Sequence, residues 1–524
     1  MNMKKILLII VVGIIAIAIY QHRQSQNNTQ LTISGPFEFN GTELSRDGFL
    51  YSRLGVTESL TRLMPDGSVQ PLLATEWTPF ADGLVWRFSI RPGVVFHDGT
   101  PLNAEAVRQN LAYARSQPGV IRQVPIQAIT VENGALVIAL SQPYSPLLSV
   151  LAHYSLGIVS PVTLGKTGQG DAADNAQTGQ GQAPSAVIGT GAYQVAMAHP
   201  PHKIEVTQNP DYWGEPAHIQ SVSYLAGHRS ESRALLVRSG QADIAYSIDP
   251  VSREGLKQSD QVTVESLALP RTVLLKLNLA HPQLRHQAVR KAISLALDRE
   301  GMAATVLRLP GSAAYQLFSP SQSDWYIENL KHKYNLQQAK TLMMQQGWSY
   351  DDEGWLVRDG QPLSLTLTTY ANRPELPVLA TSIQNQLALL GIQVNVSIDN
   401  ASAIPAKHHD NTLDMALMAR NFGMMGSPLP ILYDDFSSPR GSDWGHMNWD
   451  SPQIRAILTQ LLGESDPHVA RQLSQQVARI MADELPVIPI AYSQQLIAVN
   501  KRVSGFSFDP YEIDYRLKEM QLHD

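Results

Sequence analysis

Leu363-Ser-Leu-Thr-Leu-Thr368 alternates apolar and polar residues with a period of two, the pattern of a strand with one buried face. The next segment places Leu376, Leu379, Ile383, Leu387 and Leu390 three or four positions apart, which is helical spacing. Gly391 supplies a helix stop, and Ile392, Val394 and Val396 then alternate again as a strand. A strand, a helix and a strand in this order favour two parallel strands joined by a right-handed crossover. A second unit follows the same logic: a strand over 273–277, then a helix carrying Val289, Ile293 and Leu297. Helical hairpin pieces are expected over 335–347 and 452–481. The fold class is therefore α/β.

The chain has 524 residues. With domains averaging about 150 residues, that length implies two or three lobes. Forty basic and 46 acidic residues give a net charge of −6, which offers no reason to propose nucleic acid as a partner. Cysteine is absent. Disulfides, thiolate zinc sites, iron–sulfur clusters, cysteine nucleophiles and lipid-modified N-terminal cysteines are thereby excluded. Any metal must be held by His, Met or carboxylates, or arrive with ligands of its own.

Lys4 and Lys5 precede an apolar run over 6–20, and a polar stretch over 21–30 follows. These are the flanks of an export signal. Residues 1–28 are read as a signal peptide or an N-terminal membrane anchor, and the rest of the chain as extracytoplasmic. Residues 165–186 are rich in Gly, Gln, Ala and Asp and read as a mobile surface insertion. Gly165-Lys166-Thr167 lacks the glycine that a phosphate-binding loop needs, because Ser160 stands there. No GxSxG or HExxH motif is present either, so the sequence gives no sign of an enzyme.

Local motifs suggest how the chain turns. Asp98-Gly99 is a tight-turn pair, and His97 beside it reads as structural. Gly189 and Gly191 suit turn positions of positive φ. Asn209-Pro210 marks a chain reversal, with Tyr212 and Trp213 as packing anchors.

Several segments, in order, resemble one family. They are Leu72-Leu-Ala-Thr-Glu-Trp77, Asp82-Gly-Leu-Val-Trp-Arg-Phe88, Arg91-Pro-Gly-Val-Val-Phe-His-Asp-Gly-Thr-Pro101 and Asn103-Ala-Glu-Ala-Val107. Gly189-Thr-Gly-Ala-Tyr193, Asn209-Pro-Asp-Tyr-Trp-Gly214, Gly240-Gln-Ala-Asp-Ile244, Asp414-Met-Ala-Leu417 and Glu484-Leu-Pro-Val-Ile-Pro489 follow. The chain resembles the extracytoplasmic solute-binding proteins of the oligopeptide, dipeptide and nickel ABC importers (solute-binding protein family 5), its nickel branch most closely. The resemblance implies two hinged α/β lobes with the ligand in the cleft between them. Lobe one would span 29–267, with an extra subdomain at about 70–185. Lobe two would span 268–490, and 491–524 would return to lobe one. The implied role is non-enzymatic. A monomer, with no cofactor required, would capture nickel as a small organic chelate for an ABC permease and its ATPase. The alternative is a di- or oligopeptide ligand.

In peptide-binding members an aspartate after the strand resembling 414–419 holds the peptide amino group. Here that loop reads Arg420-Asn-Phe-Gly-Met-Met-Gly-Ser-Pro428, without a carboxylate. A buried ammonium lacking a counter-charge is costly. In the nickel branch the resemblance implies Phe422 as a cleft wall, with Met424 beside it. It implies Arg122 as a carboxylate clamp, since a guanidinium can grip a carboxylate with two bonds. His153 and Tyr154 stand where a second clamping arginine is expected. His446 is implied as a metal-reaching histidine, with His153 as the other candidate ligand. Arg46 and Tyr51 would enter the cleft from the N-terminal loop. Of the 15 histidines, the pair His408-His409 reads as a solvated surface pair.

Overall fold

A computed structural model describes residues 29–164, 187–330, 333–371, 373 and 375–523. The export segment and the Gly/Gln-rich insertion lie outside the described residues. The strand–helix–strand unit forms as Ser364–Tyr370, Glu375–Leu390 and Gln393–Asp399, and its two strands pair in parallel. Leu376, Leu379, Ile383, Leu387 and Leu390 are the buried face of that helix. Gly391 adopts φ +92°, and an added Cβ would meet the Gly354 carbonyl at 2.9 Å. Only glycine fits both demands. In the second unit the helix spans Gln287–Leu295, so Leu297 lies just past its end. The expected hairpins appear as Leu336–Gln345 and as Pro452–Gly463 with Pro467–Glu484.

The central sheet has ten strands. Gln393–Asp399, Ser364–Tyr370 and Met415–Asn421 form one end, and Ile244–Tyr246, Gln30–Gly35, Ser221–Ala226, Lys203–Gln208 and Tyr193–His199 form the other. Two long strands, Val262–Leu277 and Val487–Asn500, join the halves. They pair antiparallel throughout, but their register breaks between Ala268 and Thr272. Arg271 to Leu277 pairs with Met415–Asn421, whereas Ile244–Tyr246 pairs with Ile497 to Val499 at the opposite end. Each long strand thus serves both halves and bends where the ladder is interrupted.

Separate cores match the halves. Leu31, Ile33, Tyr193, Tyr224, Ile244 and Ile497 belong to one buried cluster, and Leu365, Ile383, Leu417 and Ile488 to another. A four-stranded sheet (Ala74–Phe80, Val85–Ile90, Ala135–Leu140, Ile126–Glu132) carries the helix Ala104–Ser116. Its Phe88, Val107 and Ile138 are continuous with the second cluster. Ser145 ties it there, donating its N–H to the Leu462 carbonyl at 2.6 Å.

Two local expectations need correction. Gly189 and Gly191 do not have positive φ. They are glycines because the backbone of Gly55 and Val56 runs against them, leaving an added Cβ 2.0 Å from a carbonyl oxygen in each case. His408 is not a solvated surface residue. It is buried, and its Nδ1 lies 2.7 Å from Nζ of Lys276, itself fully buried. His409 alone is exposed, 3.0 Å from Asp443. His97 is structural: the Gly189 N–H donates to Nδ1, which leaves the proton on Nε2 to reach the Gly191 carbonyl at 3.1 Å.

Candidate functional site

The helix Leu44–Arg53 begins at Glu43, whose carboxylate accepts from the Ser45 N–H. Asp47, one turn in, accepts from the N–H groups of Asn40 and Gly41 at 3.1 and 3.0 Å, which fixes the incoming loop. Arg46, Phe49 and Arg53 repeat at helical spacing. The Arg53 guanidinium lies 4.7 Å from the Phe37 ring centroid, 5.4 Å from Phe49 and 5.8 Å from Tyr515. It is a cation within aromatic rings. Its Nε donates to the Glu512 carbonyl at 2.6 Å. Tyr515 stacks on Tyr246 with centroids 4.6 Å apart. Phe37, Arg53, Tyr246, Gln495, Glu512 and Tyr515 line a common pocket.

The long strand Val262–Leu277 reaches this pocket through Glu512: within the register break, Arg271 donates to the Glu512 carboxylate at 2.9 Å. Burial pulls the Arg271 guanidinium below its usual range, and nearby Arg373 and Arg53 act in the same direction, while Glu512 opposes. The loop after Met415–Asn421 closes over this region. An added Cβ on Gly423 would strike Pro270, and one on Gly426 would strike Leu63. Arginines and aromatic rings therefore share this region with Glu512, Asp509 and Asp514, a surface that can pair with planar or chelated groups through its guanidinium faces.

A wider groove of about 800 Å³ is lined by Glu58, Arg62, Met64, Tyr212, Asp514 and Lys518 among others. Its carboxylate Glu58 is already held by Thr190, Tyr212 and Trp213 at 2.8, 2.9 and 2.9 Å. Tyr212 and Trp213 thus anchor the fold through Glu58 as well as by packing.

The residues expected from sequence fall into two groups. Arg46 is half-exposed on the helix bearing Phe49 and Arg53, with its Nε on Asp47 at 3.1 Å. Tyr154 packs edge-on against Phe49 at 6.3 Å, and its hydroxyl responds to Arg53 and Glu512, so it borders the same cluster. His153 is buried with its ring 4.0 Å from Tyr154. Its Nε2 has no hydrogen-bond partner among the described residues. Met424 is half-buried in the closing loop. Arg122 lies exposed on the short turn Val120–Gln123.

Three others are engaged internally, against expectation. Tyr51 is buried in the first core and donates to the Gly41 carbonyl at 2.8 Å. Phe422 is 1% exposed and packs on Phe318, so its ring belongs to the second core and not to the cleft surface. His446 is buried against Phe436 and Trp449. Its Nδ1 accepts from the Trp449 N–H and its Nε2 reaches the Ser438 carbonyl at 3.0 Å, which leaves no lone pair for a metal. Sequence reasoning missed Arg53, Arg271, Glu512 and Tyr515. The 46/49/53 spacing was a signal for Arg53; the others are brought in by chain crossing alone.

Among the described residues no group of three His, Asp or Glu could hold a metal ion.

A family model, bacterial extracellular solute-binding proteins, family 5 (middle), matches residues 68–443. The nickel-binding periplasmic protein of Escherichia coli (strain K12) is 25% identical over 492 residues, 90% of each chain. The probable D,D-dipeptide-binding periplasmic protein of the same organism is 24% identical, over 84% of this chain and 82% of that one. The crystal structure of NikA from Brucella suis in complex with Fe(III)-EDTA superposes with a TM-score of 0.81 at 22% identity, covering 94% of this chain and 100% of that one.

Proposed function

Because this chain belongs to the bacterial extracellular solute-binding proteins of family 5, we propose that it captures nickel as a small carboxylate-bearing chelate and delivers it to an ABC permease. It is a transport binding protein and not an enzyme. It works outside the cytoplasm. Among the described residues no helix is long and apolar enough to cross a membrane. Lobe one is 29–267 with 491–524, and lobe two is 268–490. The hinge is the interrupted ladder at Ala268 to Thr272, and the chelate lies between the lobes.

The observation that carries this reading is the cleft wall itself. Arg53 stands among Phe37, Phe49 and Tyr515 with its Nε on the Glu512 carbonyl, and Arg271 meets the Glu512 carboxylate. Such a surface takes the carboxylates of a chelator, while the metal's coordination sphere is filled mainly by the chelator. Arg46, His153, Tyr154 and Met424 border the cargo, and Arg122 acts as an outer cation. The nickel-binding relative supports the metal. A dipeptide remains the second reading, favoured by the dipeptide-binding relative and by Glu512 as an acceptor for an amino group. Isothermal titration with nickel(II) alone and with nickel(II) plus L-histidine tests the proposal. Heat of binding is expected with the chelate and little with the bare ion. Silence under both conditions contradicts it.

A further inference from the structure

The loop Asp509 to Tyr515 is built as a rigid edge of lobe one. The Asp509 carboxylate accepts backbone N–H groups from Tyr511, Ile513 and Asp514 at 2.9, 2.8 and 3.0 Å. Ser52 donates to the Ile513 carbonyl at 3.0 Å, and Tyr515 donates its N–H to the Arg53 carbonyl at 3.1 Å. At the centre of this fastened loop Glu512 adopts φ +58°, a left-handed conformation that a glutamate rarely takes. The strained residue presents its carboxylate to Arg271, within the hinge, at 2.9 Å, with both side chains largely buried (17% and 14% exposed). Arg53 grips the same residue through its carbonyl.

A loop with this much internal bonding has no need of a strained glutamate for its own stability. What Glu512 supplies is one carboxylate on Arg271, while Arg53 holds its carbonyl. That is the arrangement a carboxylate-bearing cargo would make. We propose that the Glu512 carboxylate is an internal stand-in for a cargo carboxylate. It neutralises Arg271 and ties the C-terminal loop to the hinge until an incoming carboxylate displaces it. The exchange swaps one ion pair for another, so Arg271 is never left buried and uncompensated. It also sets a selectivity threshold: a cargo group must outcompete a tethered carboxylate, which an alcohol, an amide or an ester cannot do. The inference rests on the interlobe cleft being the ligand site, but not on nickel.

The test uses metal-free citrate as the probe, trimethyl citrate as its uncharged counterpart, and nickel(II)–L-histidine as a separate arm. Calorimetric titrations compare the wild type with Glu512→Gln and with Glu512→Asn. Asparagine tolerates the left-handed backbone and guards against a folding defect. Both variants should bind citrate about tenfold more tightly than the wild type, the scale of one charge-assisted bond. Trimethyl citrate should be unaffected, and adding Arg271→Gln should erase the gain. Equal citrate affinity in wild type and both variants, absence of binding in all three included, overturns the stand-in. The nickel arm on the wild type reports independently on the transport reading.

Discussion

Ser155 donates its backbone N–H to Nδ1 of His153 at 3.2 Å. A backbone amide can only donate, so Nδ1 must accept. Burial pushes the imidazole down to about 3, so the ring is neutral and its single proton sits on Nε2. His153 therefore offers a donor, and not a lone pair, at the nitrogen that lacks a partner. Metal ligation through Nε2 would require breaking the Ser155 bond and moving the proton. The expected role is a hydrogen bond to a cargo oxygen. His153→Ala should weaken nickel–citrate binding about tenfold, the loss of roughly 1.4 kcal/mol. X-ray absorption on the nickel–citrate complex should contain no imidazole scattering, since citrate supplies none. An imidazole shell that vanishes in the variant would make His153 a ligand.

Arg53 is held by aromatic rings that accept its flat face. Lysine keeps the charge but loses the planar fork. Arg53→Lys should cost tenfold or more in affinity for carboxylate chelates, on the ~1.4 kcal/mol scale of one lost bond, with a small shift in melting temperature. Calorimetry and thermal denaturation on the same samples separate the two effects. An unchanged affinity would remove Arg53 from the cleft wall.

Lys276 is fully buried and donates to His408 and to the carbonyls of Ser442 and Asp443. Burial lowers its ammonium to about 7, against 10.5 when free, with Asp435 and Asp443 opposing. Between those values the unfolded chain binds a proton that the folded chain does not, so this group makes stability rise with pH from about 7 upward. His408 is lowered to about 4 by burial and by the Lys276 charge. Its contribution is lost as pH falls from 6.5 toward 4, with His446 and His153, both lowered to about 3, acting in the same sense. Melting temperatures across pH 4 to 9 should fall on the acid side. Lys276→Met should flatten the alkaline rise and lower overall stability, because two carbonyls and an imidazole lose their donor. A variant whose profile parallels the wild type would contradict the assignment.

An added Cβ on Gly191 would sit 2.0 Å from the Gly55 carbonyl oxygen, with the backbone carbons of Gly55 and Val56 at 2.7 and 2.9 Å. Gly191→Ala should destabilise by several kcal/mol, of order 2–4, or prevent folding. Gly255, near the end of the helix Pro250–Leu256, meets nothing within 4 Å, so Gly255→Ala should be neutral or stabilising by up to about 1 kcal/mol. Urea denaturation of both variants checks the contrast.

Much of the fold was legible because period carries it. The alternation of Leu363, Leu365 and Leu367 and the spacing of Leu376 to Leu390 each encode a buried face, and the sheet places them accordingly. Gly391 was read for the right reason. Gly189 and Gly191 were noticed for the wrong one, since a close approach by a distant turn leaves no local mark. The site was less legible. Arg46 and Tyr154 were expected from the resemblance, whereas Arg271 meets Glu512 only because the long strand Val262–Leu277 and the C-terminal loop come together in space. Pairings 241 positions apart have no periodic signature. His446 and Phe422 were chosen for residue type and loop position, and burial among Phe436, Trp449 and Phe318 decided otherwise.

The central claim is that the cleft carries nickel as a carboxylate chelate. Native mass spectrometry with metal analysis, on protein purified without chelating agents, tests it most directly. The account predicts one nickel per chain together with the mass of a small organic acid. A peptide mass with no nickel would contradict it.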